Sequence, residues 1–206
     1  MPQLAAIVTG ASRGIGLALA TALTEEGYAV TLTARKPDLL EQAANALRGE
    51  GAQVEHLAAN LADEEAVSAV VTRHREAFGR LDVLVNNAGV GIGAAADDHQ
   101  TKYVDMQIDV NIRAIVLFYR ECAALLRAAG GEHRNALVVN MASLAGKSPQ
   151  PWLSVYSATK AAVVAYTAAR TSTRSRWRRR SPTTPTSPTS RSSGFPTGIG
   201  ARRSRR

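Results

Sequence analysis

The sequence predicts an α/β fold with a doubly wound parallel sheet and helices on both of its faces. Segments with strand-like and helix-like periods alternate regularly over the first 170 or so residues. The strand-like runs are continuously apolar, which is typical of parallel strands buried on both faces. Residues able to do chemistry follow several of these runs, and sheets of this kind bind ligands beyond the carboxyl ends of their strands.

The first two predicted strands flank a helix. Leu4–Val8 is an apolar run, followed by glycines and then by apolar residues at helical spacing from Ile15 to Leu23. Gly27 is expected to end this helix, because glycine adopts the left-handed conformation common at helix C-termini. Ala29–Thr33 is predicted to be the second strand.

The middle of the chain repeats the pattern. A helix is predicted from about Asp38 to Arg48, followed by a weaker strand, Val54–Ala59. Asp63 is a typical helix N-cap, and the helix after it has an apolar face at helical spacing. That face consists of Val67, Val70, Val71, His74 and Phe78.

The last predicted elements begin with a compact buried strand, Leu81–Val85. One long helix then runs to about Leu126, and Ala136–Met141 is the fifth strand. A final helix begins near Ser154 and loses its pattern at about Arg170. The alternation predicts one Rossmann-like domain.

Composition divides the 206 residues into this domain, residues 1–169, and a tail, residues 170–206. The tail holds 11 of the 25 basic residues and no acidic one, which leaves 14 basic and 17 acidic residues, a net charge of −3, on the domain. Its Arg, Ser, Thr, Pro and Gly bury too little surface to offset ordering entropy, so we predict disorder. Such a change is also typical of translation in a wrong reading frame of a GC-rich gene, a hypothesis that an uninterrupted frame on resequencing would contradict.

Several classes of protein are not favoured. The one cysteine, Cys122, excludes an internal disulfide and fits a reducing compartment. The sequence shows neither a basic and apolar leader nor an apolar stretch near the roughly 18 residues of a spanning helix. The four histidines show no metal-ligand spacing. We therefore expect a cytoplasmic protein that binds no metal and no membrane.

A glycine-rich turn joins the first strand to the first helix. From Thr9 to Gly16 the sequence is TGASRGIG, with GxxxGxG rather than GxGxxG spacing. Glycines allow the backbone to approach a pyrophosphate closely, and the amides of a helix N-terminus stabilise its charge. Between a strand and an amphipathic helix the turn predicts a dinucleotide site, whereas alone it is equally typical of an ordinary turn.

Charge at the end of the second strand indicates which dinucleotide binds. A carboxylate there would bind the ribose 2′-hydroxyl, whereas arginine suits a 2′-phosphate. Arg35 occupies that position, and Arg13 lies in the glycine-rich turn. The two guanidinium groups favour NADP(H); the alternative is that both are solvated surface side chains.

Tyr156 and Lys160 lie four residues apart at the start of the last helix, and therefore on one helical face. A tyrosine with its ordinary pKa of about 10 is a poor proton donor or acceptor near neutrality, and a neighbouring ammonium group lowers that pKa. Ser143, just past the fifth strand, is placed to hydrogen-bond the same substrate oxygen. A YxxxK pair alone usually marks two surface residues, but the glycine-rich turn and Ser143 favour a catalytic site.

Together these motifs resemble the short-chain dehydrogenase/reductase family over roughly residues 4–169. TGASRGIG at 9–16, NNAG at 86–89, Asn111, Ser143 and YSATK at 156–160 stand in the family's order and spacing. The resemblance implies an oxidoreductase that transfers a hydride between NADP(H) and a hydroxyl/ketone substrate. It also implies a homo-oligomer built through the last helix and the helix near residues 111–127.

The resemblance further implies roles for individual residues. Tyr156 would be the general acid/base, and Lys160 would lower the pKa of its phenol and hold the nicotinamide ribose. Ser143 would polarise the carbonyl, and Asn111 would hold a water in a proton relay. Asn60 stands where the family usually has an adenine-binding aspartate. The implied cofactor-binding residues are Gly10, Ser12, Arg13, Gly14, Ile15, Gly16, Arg35, Asn60, Leu61, Asn87, Ala88, Gly89, Tyr156 and Lys160.

The region after Arg170 departs from the family pattern. The family continues there with a strand, a Pro-Gly turn, a substrate-covering segment and a last strand, none of which is recognisable. One alternative is therefore a non-catalytic nucleotide-binding protein, which the intact catalytic residues disfavour. Nucleic-acid binding through the Arg-rich tail is another, which its sparse aromatic residues disfavour. We expect a small-molecule substrate and no nucleic acid.

Two loops are expected to choose the substrate, since the family uses those after its fourth and fifth strands. Here Val90–Asp98 and Ala145–Leu153 are small and apolar, and Trp152 is their largest side chain. This composition favours a lipophilic alcohol or ketone.

Overall fold

The computed structural model of the protein describes residues 3–133 and 135–177. Its sheet is parallel throughout, with strand order β3-β2-β1-β4-β5. The order reverses between β1 and β4, which is the switch point where such sheets bind ligands. This confirms the predicted doubly wound fold. The strands are β1 (Ala5–Thr9), β2 (Ala29–Ala34), β3 (Val54–Ala58), β4 (Val83–Asn86) and β5 (Leu137–Asn140).

Helices cover both faces of the sheet, because neighbouring residues of β1 point to opposite sides. Val8 packs in one apolar cluster with the first two helices, and Ile7 packs in the other with the third and fifth. The third helix begins as predicted, with the Asp63 carboxylate accepting a hydrogen bond from Glu65 N at 3.0 Å. The helices are α1 (Gly14–Glu25), α2 (Pro37–Gly49), α3 (Glu64–Phe78), α4 (Thr101–Ile108), α5 (Ala114–His133) and α6 (Ser154–Trp177).

The predicted long helix is divided in the structure. A π-helical turn, Asp109–Arg113, separates α4 from α5. Apolar periodicity did not reveal it, because the extra residue changes the apolar spacing only once, between Val110 and Ile115. π-Helical turns of this kind occur frequently at functional sites, and Asn111 lies in this one.

The last helix is longer than predicted. α6 continues to Trp177, so the predicted boundary at residues 169/170 falls inside it. The predicted end followed the loss of the apolar pattern near Arg170, whereas the helical backbone continues beyond that residue. Disorder was predicted for the whole tail, residues 170–206, but residues 170–177 are instead the last part of α6. Residues 178–206 lie outside the described residues. Within the described part of the chain, no helix is long and apolar enough to span a membrane.

Candidate active site

The glycine-rich turn is tied to the segment that follows β4. Thr9 is buried at the end of β1, and its Oγ1 accepts hydrogen bonds from Asn87 N at 3.0 Å and Ala88 N at 2.9 Å. In return, Asn87 Nδ2 donates to Thr9 O at 2.9 Å and to Gly10 O at 3.3 Å. The TGASRGIG and NNAG motifs are therefore one hydrogen-bonded unit at the carboxyl ends of β1 and β4.

Two positions of the turn require glycine. Gly10 has a φ of +67°, and a Cβ there would lie 2.9 Å from Ala88 Cα. Gly16 packs directly against the Gly10 carbonyl and leaves no room for a Cβ. A side chain at either position would separate the turn from the segment after β4.

A cleft of about 380 Å³ opens beside this turn and is called here the glycine cleft. Its volume lies in the range of small-molecule sites. Nine of the residues implied as cofactor-binding line it, namely Gly10, Ser12, Arg13, Gly14, Arg35, Leu61, Asn87, Ala88 and Gly89.

The other implied cofactor residues lie elsewhere. Ile15 is 62% exposed, and Gly16 is buried beneath the turn. Asn60 is exposed beside the cleft, and its Oδ1 accepts a hydrogen bond from Ala62 N at 3.3 Å. Its amide oxygen is thus used in a local turn rather than directed into the cleft. Tyr156 and Lys160 lie on α6, next to the cleft rather than in its lining.

Three cationic side chains line the cleft around the end of β2. Arg13 and Arg35 were singled out from the sequence, whereas Lys36 was missed although it directly follows Arg35. All three are exposed, and none enters a salt bridge among the residues that the structure describes. This corner of the cleft is therefore able to bind an anion. Leu39 of α2, also missed, lines the same corner.

Lys160 joins the glycine cleft to the predicted catalytic group. A Cβ on Gly89, which lines the cleft, would lie 3.3 Å from Lys160 Nζ. Lys160 is buried, and its Nζ donates to Met141 O at 2.7 Å. Burial lowers the pKa of this ammonium group below its ordinary value. The same Nζ lies 5.8 Å from the centroid of the Tyr156 ring.

Ser143 lies three residues after the end of β5. Its Oγ accepts a hydrogen bond from Ala145 N at 3.2 Å and caps a short 3₁₀ helix, Leu144–Gly146. Because that contact uses an oxygen lone pair, the hydroxyl proton remains free to be donated. Gly146 packs against α6, where a Cβ would lie 2.6 Å from Lys160 C. The loop that contains Ser143 therefore packs against α6, the helix that carries Tyr156.

The Asn111 side chain makes three hydrogen bonds within the protein. Its Oδ1 accepts from Val90 N at 2.8 Å, while its Nδ2 donates to Val90 O at 2.8 Å and to Thr159 Oγ1 at 3.0 Å. Asn111 and Thr159 are buried. The amide thus connects the π-helical turn to the segment after β4 and to α6.

A chain of hydrogen-bonded side chains, buried at Asn86 and half-buried beyond it, links the strands to α6. Asn86 Nδ2 donates to Asn140 Oδ1 at 2.9 Å, and Asn140 Nδ2 donates to Thr167 Oγ1 at 3.0 Å. Asn86 Oδ1 is buried and has no hydrogen-bond partner among the described residues. The ends of β4 and β5 and the helix bearing Tyr156 are therefore held in one arrangement.

Comparison with known proteins agrees with this arrangement. The sequence model of the family described as short chain dehydrogenase matches residues 4–177. An uncharacterised oxidoreductase of Staphylococcus aureus is 37% identical over 158 residues, which cover 77% of this chain and 66% of that protein.

Solved structures of the family show the same fold. A metagenomic short-chain oxidoreductase in complex with NADP is 37% identical, with a TM-score of 0.76, over 84% of this chain and 77% of that one. A short-chain dehydrogenase/reductase from Burkholderia phymatum in complex with NAD is 30% identical, with a TM-score of 0.76, over 81% of this chain and 58% of that one. The chain thus spans less than two thirds of the length of the S. aureus and B. phymatum proteins.

Proposed function

The chain belongs to the short-chain dehydrogenase family, and we propose that it is an NADP(H)-dependent oxidoreductase. It would transfer a hydride between the nicotinamide and a hydroxyl/ketone pair, with Tyr156 as the general acid/base. One observation carries this proposal: Lys160 Nζ lies beside Gly89 of the glycine cleft and 5.8 Å from the centroid of the Tyr156 ring. A dinucleotide in the cleft and a carbonyl at the tyrosine would therefore be adjacent.

The residues of the glycine cleft fit a dinucleotide phosphate. Gly10 and Gly14 have φ values of +67° and +58°, so the turn presents backbone amides with no side chain above them. The N-terminus of α1 adds its partial positive charge for a pyrophosphate. Arg13, Arg35 and Lys36 surround the end of β2, where a ribose 2′-phosphate would lie.

The catalytic chemistry is divided between the cofactor and the side chains. Bound NADPH would supply the hydride that forms the new C–H bond at the carbonyl carbon. Tyr156 would donate its hydroxyl proton to the carbonyl oxygen, which completes the alcohol and leaves a phenolate to be reprotonated from solvent. Ser143 would donate a hydrogen bond to the same oxygen. The buried Lys160 ammonium would stabilise the phenolate and bind the nicotinamide ribose.

The geometry refines the role proposed for Asn111. Its side-chain amide is used by Val90 and Thr159, so a relay water would bind the Asn111 backbone carbonyl instead. The π-helical hydrogen-bond pattern offers a reason for such an available carbonyl. Asn111 itself would then fix the turn that presents it.

Cofactor choice is tested by following the thermal unfolding of the full 206-residue chain with NADPH and with NADH. We expect NADPH to raise the Tm at concentrations at least tenfold lower than NADH does. Arg35→Asp should remove this preference, whereas Arg75→Asp, at an exposed arginine of α3 outside the cleft, should keep it. Equal shifts with the two nucleotides would contradict the NADP(H) assignment.

Turnover separates the enzyme from the alternative of a non-catalytic nucleotide-binding protein. Oxidation of NADPH in the presence of ketones, lost in Tyr156→Phe, is the expected result. Nucleotide binding without turnover of any ketone would favour the alternative.

The remaining parts of the proposal concern the state of the protein. They are a cytoplasmic location, a homo-oligomer assembled through α5 and α6, and no binding to nucleic acid. Cell fractionation, light scattering after size-exclusion chromatography and a salt-dependent DNA-binding assay test them in turn.

A further inference from the structure

A second cleft, of about 520 Å³, lies between the loop after β4 and the loop before α6, and is called here the loop cleft. Ile92 and Ala94 line it on one side and Trp152 on the other. Gly91 directly precedes this lining, and a Cβ there would lie 3.3 Å from Cδ2 of Tyr156. The loop cleft therefore begins beside the ring proposed as proton donor.

Two hydrogen bonds join the loops on either side of this cleft. Ala94 N donates to Trp152 O at 2.9 Å. His99 Nε2 and Ser154 Oγ share a hydrogen bond of 2.9 Å. The cleft is thus formed before any ligand binds, as is usual for small-molecule sites.

Trp152 is strained in this position. Leu153 N donates to Gln150 O at 3.2 Å and closes a turn whose third residue, Trp152, has a φ of +64°. That position of a turn favours Gly or Asn, and a bulky residue with positive φ is an outlier. Among the described residues, Trp152 is the one non-glycine residue with positive φ. Its side chain is 68% exposed, so burial does not compensate for the strain.

We propose that Trp152 is the aromatic platform of a substrate subsite in the loop cleft, and that the substrate is an uncharged ketone or alcohol bearing a flat ring. The proposal rests on the oxidoreductase function proposed above. Local strain that persists at an exposed aromatic side chain marks functional positions, and an indole face stacks with flat rings. Tyr103 adds a second aromatic side chain to the lining.

Charge in the loop cleft disfavours anionic substrates. Asp98 contributes a carboxylate, and none of the described lining residues is Arg or Lys. The neighbouring Lys102 directs its Nζ over the Tyr103 ring, 4.7 Å from the centroid. A carboxylate or phosphate on the substrate would therefore meet Asp98 without a cation in the lining.

The test measures NADPH oxidation by the full chain with three ketones: 4-phenyl-2-butanone, 2-butanone and the anion 4-oxopentanoate. We expect kcat/KM to be highest for the phenyl ketone, by at least tenfold, and lowest for the anion. Trp152→Gly, which suits a φ of +64°, should reduce kcat/KM for the phenyl ketone about tenfold and leave 2-butanone within twofold. Trp152→Phe should restore most of the preference. Leu137→Ala, at an exposed residue at the start of β5, should change kcat/KM for neither the phenyl ketone nor 2-butanone.

A binding measurement separates this proposal from the proposed activity. The chain has two tryptophans, Trp152 and Trp177, so in Trp177→Phe the fluorescence reports Trp152 alone. A saturable change of this fluorescence with 4-phenyl-2-butanone, and only linear quenching with 2-butanone, would support the subsite. If this binding is seen but no ketone is turned over, the subsite stands and only the proposed activity is contradicted. The subsite is overturned if Trp152→Gly turns ketones over with an unchanged preference for the phenyl ketone. It is also overturned if neither turnover nor saturable binding is observed.

Discussion

The two ends of the parallel sheet use their buried polar groups differently. At the amino-terminal end, the Asp82 carboxylate accepts hydrogen bonds from Ala5 N at 2.9 Å and from the Arg80 guanidinium at 2.8 and 2.6 Å. The two ring nitrogens of His74 are bonded to Thr31 Oγ1 and Arg80 O, each at 2.8 Å. These groups are satisfied by the protein itself and connect β1, β2 and α3 to the start of β4.

At the carboxyl-terminal end, the polar groups keep capacity for a ligand. Among the described residues, Lys160 Nζ makes one hydrogen bond, to Met141 O, although an ammonium group has three donors. The Ser143 hydroxyl proton is free, and the cations of the glycine cleft enter no salt bridge in the described chain. The strained Trp152 lies at this end as well. The polar groups of the amino-terminal end thus connect elements of the fold, whereas those of the carboxyl-terminal end stay available, as the proposed function requires.

Tyr156→Phe is the strongest test of this division. We expect kcat to fall about 10²- to 10⁴-fold, the range for loss of a general acid, while the free energy of unfolding stays unchanged. Tyr28→Phe, beside the start of β2, is the matched control and should keep full activity. Steady-state kinetics measure kcat, and urea unfolding measures the free energy of unfolding. An equal loss of activity in Tyr156→Phe and Tyr28→Phe would contradict the proposed difference between the two ends of the sheet.

Asp82→Ala should give the complementary result. Removing this carboxylate leaves Ala5 N without its acceptor and leaves the Arg80 guanidinium only its longer ion pair with Glu132, at 3.4 Å. We therefore expect the free energy of unfolding to fall by about 3 kcal/mol. Glu55→Ala, which removes the exposed ion pair with Arg73, should lower it by about 0.5 kcal/mol. Urea unfolding followed by circular dichroism measures both. If Asp82→Ala lowers the free energy of unfolding by less than about 1 kcal/mol, the polar groups at the amino-terminal end of the sheet do not stabilise the fold as proposed.

The pH dependence of stability gives a third test of the amino-terminal end. Burial lowers the pKa of His74 from 6.5 to about 4. The unfolded chain therefore takes up the proton first as the pH falls, so the contribution of the neutral imidazole is complete above pH 6.5. It is lost progressively between pH 6.5 and 4, by up to about 3 kcal/mol.

His74→Gln provides the control for this pH dependence. It keeps a neutral donor and acceptor but removes the titration, so its stability should be lower at pH 7 and should fall less between pH 6.5 and 4. If the free energies of unfolding of the unchanged protein and of His74→Gln fall in parallel between pH 6.5 and 4, the pH dependence does not come from His74.

Sequence patterns predicted most of the fold, because apolar periodicity records which residues are buried. The strands and α1 to α3 lie within about two residues of their predicted bounds. The π-helical turn at Asn111 was not predicted in this way, and the hydrogen bonds of its side chain to Val90 and Thr159 join residues distant in sequence.

The site was predictable where spacing alone determines proximity. The four-residue spacing brings Tyr156 and Lys160 together on α6, and the glycine-rich turn lies at the switch point. The orientation of Asn60 depends on a local turn, and the φ of Trp152 depends on a loop held by Ala94. Neither is recorded in residue spacing.

The smallest expected effect is a gain in the free energy of unfolding rather than a loss. Trp152→Asn should raise the free energy of unfolding by about 0.5–1 kcal/mol, because asparagine tolerates a positive φ and the indole is largely exposed. Leu137→Asn, at an exposed apolar residue with ordinary φ, should instead lower it by about 0.5 kcal/mol, since asparagine is disfavoured in strands. A stability loss above 1 kcal/mol in Trp152→Asn would show that the indole serves packing. A gain in stability together with a loss of preference for ring-bearing ketones would show that the carboxyl-terminal end gives up stability for function.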